Sequence, residues 1–173
     1  MKKVTALLIG ILFVSTISCD SIKDAVSVSG TKTVTNDFNV SIPQTTAGAP
    51  QSINESATIN LSEIVSDASS ANLESVKVNS LSYKIKNHTG NTAGRIVTLS
   101  LKIGSEEFGA MTDFDPSLGG TFTIADSAKL AAIENILKNA TTTLSAAGTI
   151  QTDAGNMSFD VEVSINITVT LKP

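Results

Sequence analysis

The clearest pattern in the chain is its last long segment, where Met157, Phe159, Val161, Val163, Ile165, Ile167, Val169 and Leu171 alternate with small or polar residues. A period of two places successive side chains on opposite faces of a strand, so the spacing predicts one half-buried strand from Met157 to Leu171. It is far longer than the usual ~5 to 6 residues, so it either bends to serve two sheets or runs the full length of one. Leu144, Ala146, Gly148 and Ile150 predict the strand before it. Asp153-Ala154-Gly155-Asn156 supplies turn chemistry between the two, which are therefore expected to pair as a terminal hairpin.

Other segments repeat the pattern. Phe38, Val40 and Ile42 alternate with Asn39 and Ser41 before Pro43, and Thr45 to Gln51 reads as a loop. Asn60 followed by Glu63 has the spacing of a capping box and predicts a turn or two of helix. Between Leu73 and Asn87 the apolar parity changes, from Val76 and Val78 to Leu81, Tyr83 and Ile85. An unbroken strand would throw one set to the wrong face, so a bulge is expected near Asn79-Ser80. Lys86 to Gly94 reads as a turn, Val97, Leu99, Leu101 and Ile103 as a strand, and Phe108 with Ala110 as a shorter one. Phe122 and Ile124 mark a brief strand. Asp126 is placed to cap a helix to about Asn139, with Leu130, Ile133, Ile136, Leu137 and Ala140 in one stripe.

Seven or eight strands, one helix and turns every ten or so residues predict an all-β fold, an antiparallel β-sandwich with one crossing or capping α-helix. A closed β-barrel is the alternative. A transmembrane barrel is a third possibility, but six Phe and one Tyr are too few to build two interfacial girdles.

The N-terminus carries a different signal. Lys2 and Lys3 precede an uncharged stretch from Val4 to Ile17, which has the length of a secretory hydrophobic region and is too short to span a bilayer. It ends in Thr16-Ile17-Ser18-Cys19, which resembles the lipobox of bacterial lipoproteins, with Thr16 where that family usually has leucine. The resemblance implies a signal peptide over residues 1–18, a lipidated Cys19 and tether over 19–30, and a β-sandwich domain over 31–173. Ala25 to Val28 could instead form a short first strand. Two or three acyl chains on Cys19 would anchor the protein durably, where one gives only marginal binding.

Composition narrows the picture further. Cys19 is the sole cysteine, so no internal disulfide is possible and an exported domain must rely on its apolar core. Removing residues 1–18 leaves 155, enough to bury roughly two-thirds of the unfolded surface. It also leaves 10 basic against 16 acidic residues. With no Lys or Arg cluster, nucleic acid is not an expected partner.

The catalytic inventory is thin. His88, the sole histidine, lies in a stretch that reads as a turn. There is no nucleophile elbow, phosphate loop, zinc-protease motif or cysteine pair, so no enzymatic activity, cofactor or bound metal is expected. Glu106, Glu107, Asp113 and Asp115 are the available calcium ligands, but no EF-hand spacing is present. Turn bonding by Asp113 and Asp115 beside Pro116 is the simpler expectation. Asp20-Ser21-Ile22 and Asp126-Ser127-Ala128 resemble the acceptor of some bacterial O-glycosylation systems, making Ser21 and Ser127 candidate acceptors. Tether composition and helix-start chemistry explain the same residues.

These readings lead to a lipid-anchored cell-envelope protein with a non-enzymatic structural, adhesive or interaction role. Its expected partners are the membrane, through the anchor, and an envelope protein or glycan. The expected location is the outer membrane; Asp20 resembles an inner-membrane retention signal, which leaves the periplasmic face of the inner membrane as the alternative. The alternative function is a carrier or accessory binding module, with a small apolar ligand between the sheets or under the helix at Leu130 and Ile133.

Overall fold

The alternation from Met157 to Leu171 carries through into three dimensions: in the computed structural model every odd-numbered residue of that span is buried and every even-numbered one between them is half-buried. The structure describes residues 27–43, 48–66, 68–153 and 155–172. In chain order the elements are β1 (Ser29–Ile42), β2 (Gln51–Asn60), β3 (Leu73–Gly90), β4 (Arg95–Ile103), β5 (Glu106–Phe114), β6 (Gly120–Thr123), α1 (Ser127–Leu137), β7 (Thr141–Gln151) and β8 (Met157–Leu171). Among the described residues there are also 3-10 turns at Leu61–Glu63 and Pro116–Leu118.

The strands form two antiparallel four-stranded sheets, ordered β1-β8-β3-β6 and β2-β7-β4-β5. The protein is therefore an antiparallel β-sandwich, with one α-helix among the described residues, and its sheets do not close into a barrel. β1 pairs with β8, β2 with β7, β3 with β6 and β4 with β5, while β8 also pairs with β3 and β7 with β4. A four-rung antiparallel ribbon rolled onto itself produces this order, which is that of a jelly roll.

This topology corrects the expected terminal hairpin. β7 and β8 lie in different sheets, because consecutive strands along one limb of the rolled ribbon follow each other end to end. The connection after Gln151 carries the chain across the sandwich. Thr152, 1% exposed, sits at the crossing, where its hydroxyl accepts from Asn91 Nδ2 at 2.7 Å and its carbonyl from the Gly48 N–H at 2.7 Å. β8 runs the full length of one sheet, between β1 and β3.

Bulges account for most other departures. The bulge expected near Asn79 is present: the β3–β8 register shifts between Val78 and Ser80, and Val76, Val78, Leu81, Tyr83 and Ile85 all reach the core. Four further shifts were not anticipated, two of them involving β4. Ile96, not Val97, is buried, because β4 slips against β7 between Ile96 and Thr98 and leaves Val97 37% exposed. Phe108, Gly109 and Met111 face inward while Ala110 is exposed, since the β4–β5 register shifts between Leu101 and Lys102. Gly109 tolerates this because a Cβ there would lie 2.8 Å from the Tyr83 ring.

β3 continues to Gly90, so His88 is on a strand rather than in a turn; an irregularity between Lys86 and Thr89, with Asn87 at φ 57°, absorbs the polar residues that suggested a turn. Gln51 to Asn60, read as loop at its start and otherwise unassigned, is an edge strand. Its inward register holds Gln51 and Glu55 beside Ile53, Ala57 and Ile59, which hides the alternation. β1 begins at Ser29, inside the span expected to be tether, and Val28 O accepts from the Leu171 N–H at 2.8 Å.

The core lies between the sheets, built from fully buried Leu101, Ile103, Leu144 and Ile150 on one side and Ile85, Phe159, Val161 and Ile165 on the other. Each such aliphatic contributes about 1.5–3 kcal/mol on burial. α1 starts where expected, with the Asp126 carboxylate accepting from the Ala128 and Lys129 N–H groups. It packs on β3 of one sheet and on β5 and β7 of the other, inserting Ile133 and Leu137 into the core.

Candidate interaction surface

β8 occupies an interior place in its sheet, so its outward face is flanked on both sides by neighbours and its polar side chains meet partners across the strands. Against β1, the facing pairs are Thr31–Thr168, Thr33–Asn166, Thr35–Ser164, Asp37–Glu162, Asn39–Asp160 and Ser41–Ser158. Many of these are hydrogen-bonded. The Thr31 and Thr168 hydroxyls are 2.8 Å apart, Asn166 Nδ2 donates to Thr33 Oγ1 at 2.8 Å, and the Thr35 and Ser164 hydroxyls are 3.2 Å apart. From β3, Asn79 Nδ2 donates to both Asn166 Oδ1 and Thr168 Oγ1, and the Thr89 hydroxyl meets that of Ser158. A hydroxyl and amide network therefore crosses three strands.

The middle of this face is charged. Lys86 Nζ lies 2.9 Å from Asp37 Oδ1 and also bonds Glu162. Hydrogen bonds to Glu162 first, and then to Asp37, hold the Lys86 ammonium above the ordinary lysine range. Asp160 accepts from Asn87 Nδ2 at 2.7 Å and Asn39 Nδ2 at 2.8 Å, and these bonds, led by Asn87, hold its carboxyl below the usual aspartate value. Asp37, Asp160, Glu162 and Lys86 thus form a hydrogen-bonded patch, and exposed Lys77 and Lys84 of β3 lie on the same face, opposite Thr168 and Glu162.

The singled-out residues fall elsewhere. Cys19, Ser21 and the whole of 1–18 lie outside the described residues. Ser127 is the exposed first residue of α1, beside the Asp126 cap. His88 is half-buried on β3, and its Nε2 is buried with no hydrogen-bond partner among the described residues. The candidate calcium ligands are not brought together: Glu107 and Asp113 stand near opposite ends of β5, roughly 20 Å apart along the strand. Glu107 accepts from Ser100 Oγ at 2.5 Å. Asp115 accepts from the Ser117 hydroxyl and N–H, which lower its pKa, and lies 3.8 Å from Arg95. Among the described residues no group of three His, Cys, Asp or Glu side chains could hold a metal ion.

Asn79, Lys86, Asn87 and Asp160 escaped the sequence reading. Their polar, outward positions were visible, but which strands would stand side by side was not. Asn87 in particular was assigned to a turn.

The sequence matches no known protein family and no curated protein. Among solved structures the chain is similar to the decameric BFDV capsid protein, at 10% identity and a TM-score of 0.41, over 82% of this chain and 99% of that one.

Proposed function

We propose that this chain is a cell-envelope lipoprotein, anchored through Cys19, whose sandwich has a structural, adhesive or interaction role and no catalytic one. The observation that carries the interaction reading is the outward face of β1, β8 and β3. Its Ser, Thr and Asn side chains are already ordered by bonds to one another. Ordering a flexible side chain on binding costs about 0.5–1.5 kcal/mol, so a pre-ordered polar face meets a glycan or a polar protein surface at less cost. The anchoring part rests on Thr16-Ile17-Ser18-Cys19 behind an apolar leader. On this reading the domain stands at the outer membrane, with the periplasmic face of the inner membrane as the alternative.

The test takes both parts. Radiolabelled palmitate should enter the wild-type protein and not Cys19→Ala, which should leave the membrane fraction. Wild type that takes up no label ends the anchoring reading. In the unlipidated Cys19→Ala protein, replacing Thr33 and Asn166 together by Lys should reduce binding to isolated envelopes that keep their surface proteins and glycans, and unchanged binding would count against this face.

A further inference from the structure

The two open sides of the sandwich are finished differently. On one, α1 packs against β3 and β5, and the Phe114 ring of β5 meets the Phe122 ring of β6 edge-on at 5.8 Å. On the other, β1 and β2 each end their sheet, with no further strand beside them among the described residues. That side is tight near Gly30, where a Cβ would lie 2.6 Å from Val65 Cγ2. Farther along it opens into a cleft of about 490 Å³, walled by residues 39–43 and 51–55.

Three observations say what this cleft fits. Along each wall, alternate residues direct backbone N–H and C=O groups away from their single paired strand, which is the recognition pattern of another strand. β1 is also unusually suited to pairing: its register with β8 runs over 14 residues without a bulge, and Pro43 lies beyond its end. Five residues of wall span about 13–17 Å, the length of a four- or five-residue extended segment. The side chains add a preference. Val40 and Ile42 of β1 are buried and Ile53 of β2 is half-buried, offering apolar contact. Glu55 occupies the same inward register as Ile53, opposite fully buried Ala146, yet it is exposed and makes no ion pair among the described residues. A carboxylate on the inward side of an edge strand discourages indiscriminate pairing and selects a cation. The acidic balance of the whole chain, formal charge −4, points the same way.

We propose that the cleft between β1 and β2 receives an extended, basic segment of a partner protein, which adds as a strand to the free edge of β1 and sets a Lys or Arg against Glu55. The proposal rests on the interaction reading above but not on the anchor, so a failed palmitate experiment leaves it standing. Strand addition of this kind takes affinity from main-chain bonds and specificity from alternate side chains.

The intact isotope-labelled chain is titrated with the capped peptide KVTVKVT and followed by NMR. Amide signals of residues 39–42 and 51–55 should move and β1 amide exchange should slow at least tenfold, while the β5 and β6 edges stay unchanged. The capped peptide EVTVEVT should bind more weakly. Glu55→Gln, an exposed substitution, should weaken KVTVKVT by about threefold and narrow the difference between the two peptides. No movement at millimolar peptide, shifts spread equally over the β5 and β6 edges, or equal binding of both peptides to wild type would overturn the proposal. So would β1 protection that grows with protein concentration in the absence of peptide, which would make a second copy of the chain the occupant.

Discussion

The backbone N–H of Val78 donates to the carboxylate of Glu134 at 2.9 Å, joining the bulge of β3 to the middle of α1. β6 pairs with β3 only over residues 82–85, and the Ile124 N–H then extends the cover to Leu81 O at 2.9 Å. Beyond that point no strand among the described residues covers β3 on this side, and α1 takes its place. An edge left open there would be a template for pairing with another chain.

Glu134→Ala should therefore destabilise the fold by about 1.5–3 kcal/mol, the range for a hydrogen bond to a charged group. Urea unfolding measures the loss. Glu134→Gln keeps an acceptor and should recover part of it, and hydrogen exchange at Val78 should quicken in the alanine variant more than at Leu81. Unchanged exchange at Val78 would show that the contact does not protect the edge.

Gly148 sits where β7 passes the bulge at Val97, and a Cβ there would lie 2.1 Å from Thr98 O, an atom of the backbone. A main-chain atom cannot swing aside as a side chain can. Gly148→Ala should cost about 1–3 kcal/mol through forced strand displacement, read as a lower denaturant midpoint. A neutral effect would mean that the two strands do not approach as closely as described.

Ile133 is fully buried and Leu118 is 76% exposed, so two large aliphatics should respond oppositely to truncation. Ile133→Ala should cost about 2–5 kcal/mol. Leu118→Ala should stay within about 0.5 kcal/mol of wild type. Similar midpoints for the two variants would place α1 outside the cooperative core.

Stability should fall in acid but persist into alkali. Asp160 and Asp115 have folded pKa values below the ordinary one, set chiefly by the Asn87 and Ser117 bonds respectively. Their contribution is complete above the unfolded value near 3.9 and is lost as pH falls through the folded values. Lys86, raised by Glu162 and Asp37, has the opposite sign: its contribution is complete below the ordinary lysine value near 10.4 and is lost only above it. The denaturant midpoint should thus be nearly level from about pH 5 to 10 with respect to these groups. Asp160→Asn should flatten part of the drop below pH 4; an unaltered acid limb would rule out a stabilising role for this carboxylate.

Local pattern and long-range arrangement were legible to different degrees. The strand from Met157 to Leu171, the bulge at Asn79 and the Asp126 cap were all readable, because each depends on side-chain period or on hydrogen bonds a few residues away. The polar half of the β1, β8 and β3 face was likewise present as outward Ser, Thr and Asn positions on β1 and β8. Its network was not, since Asn87 looks like a turn residue until β3 is seen to continue past it beside Asp160.

By itself, the sequence determined a β-rich sandwich, the buried face of β8 and of most of β3, and the place of α1. Only the tertiary structure decided that β7 and β8 part into different sheets, that Gln51–Asn60 forms an edge, and that Ile96 rather than Val97 turns inward. The physical reason is common to all three. Alternation states which side of a strand seeks the core, but pairing and register follow from how distant segments share that core, and a bulge or a polar edge position breaks the period without breaking the strand.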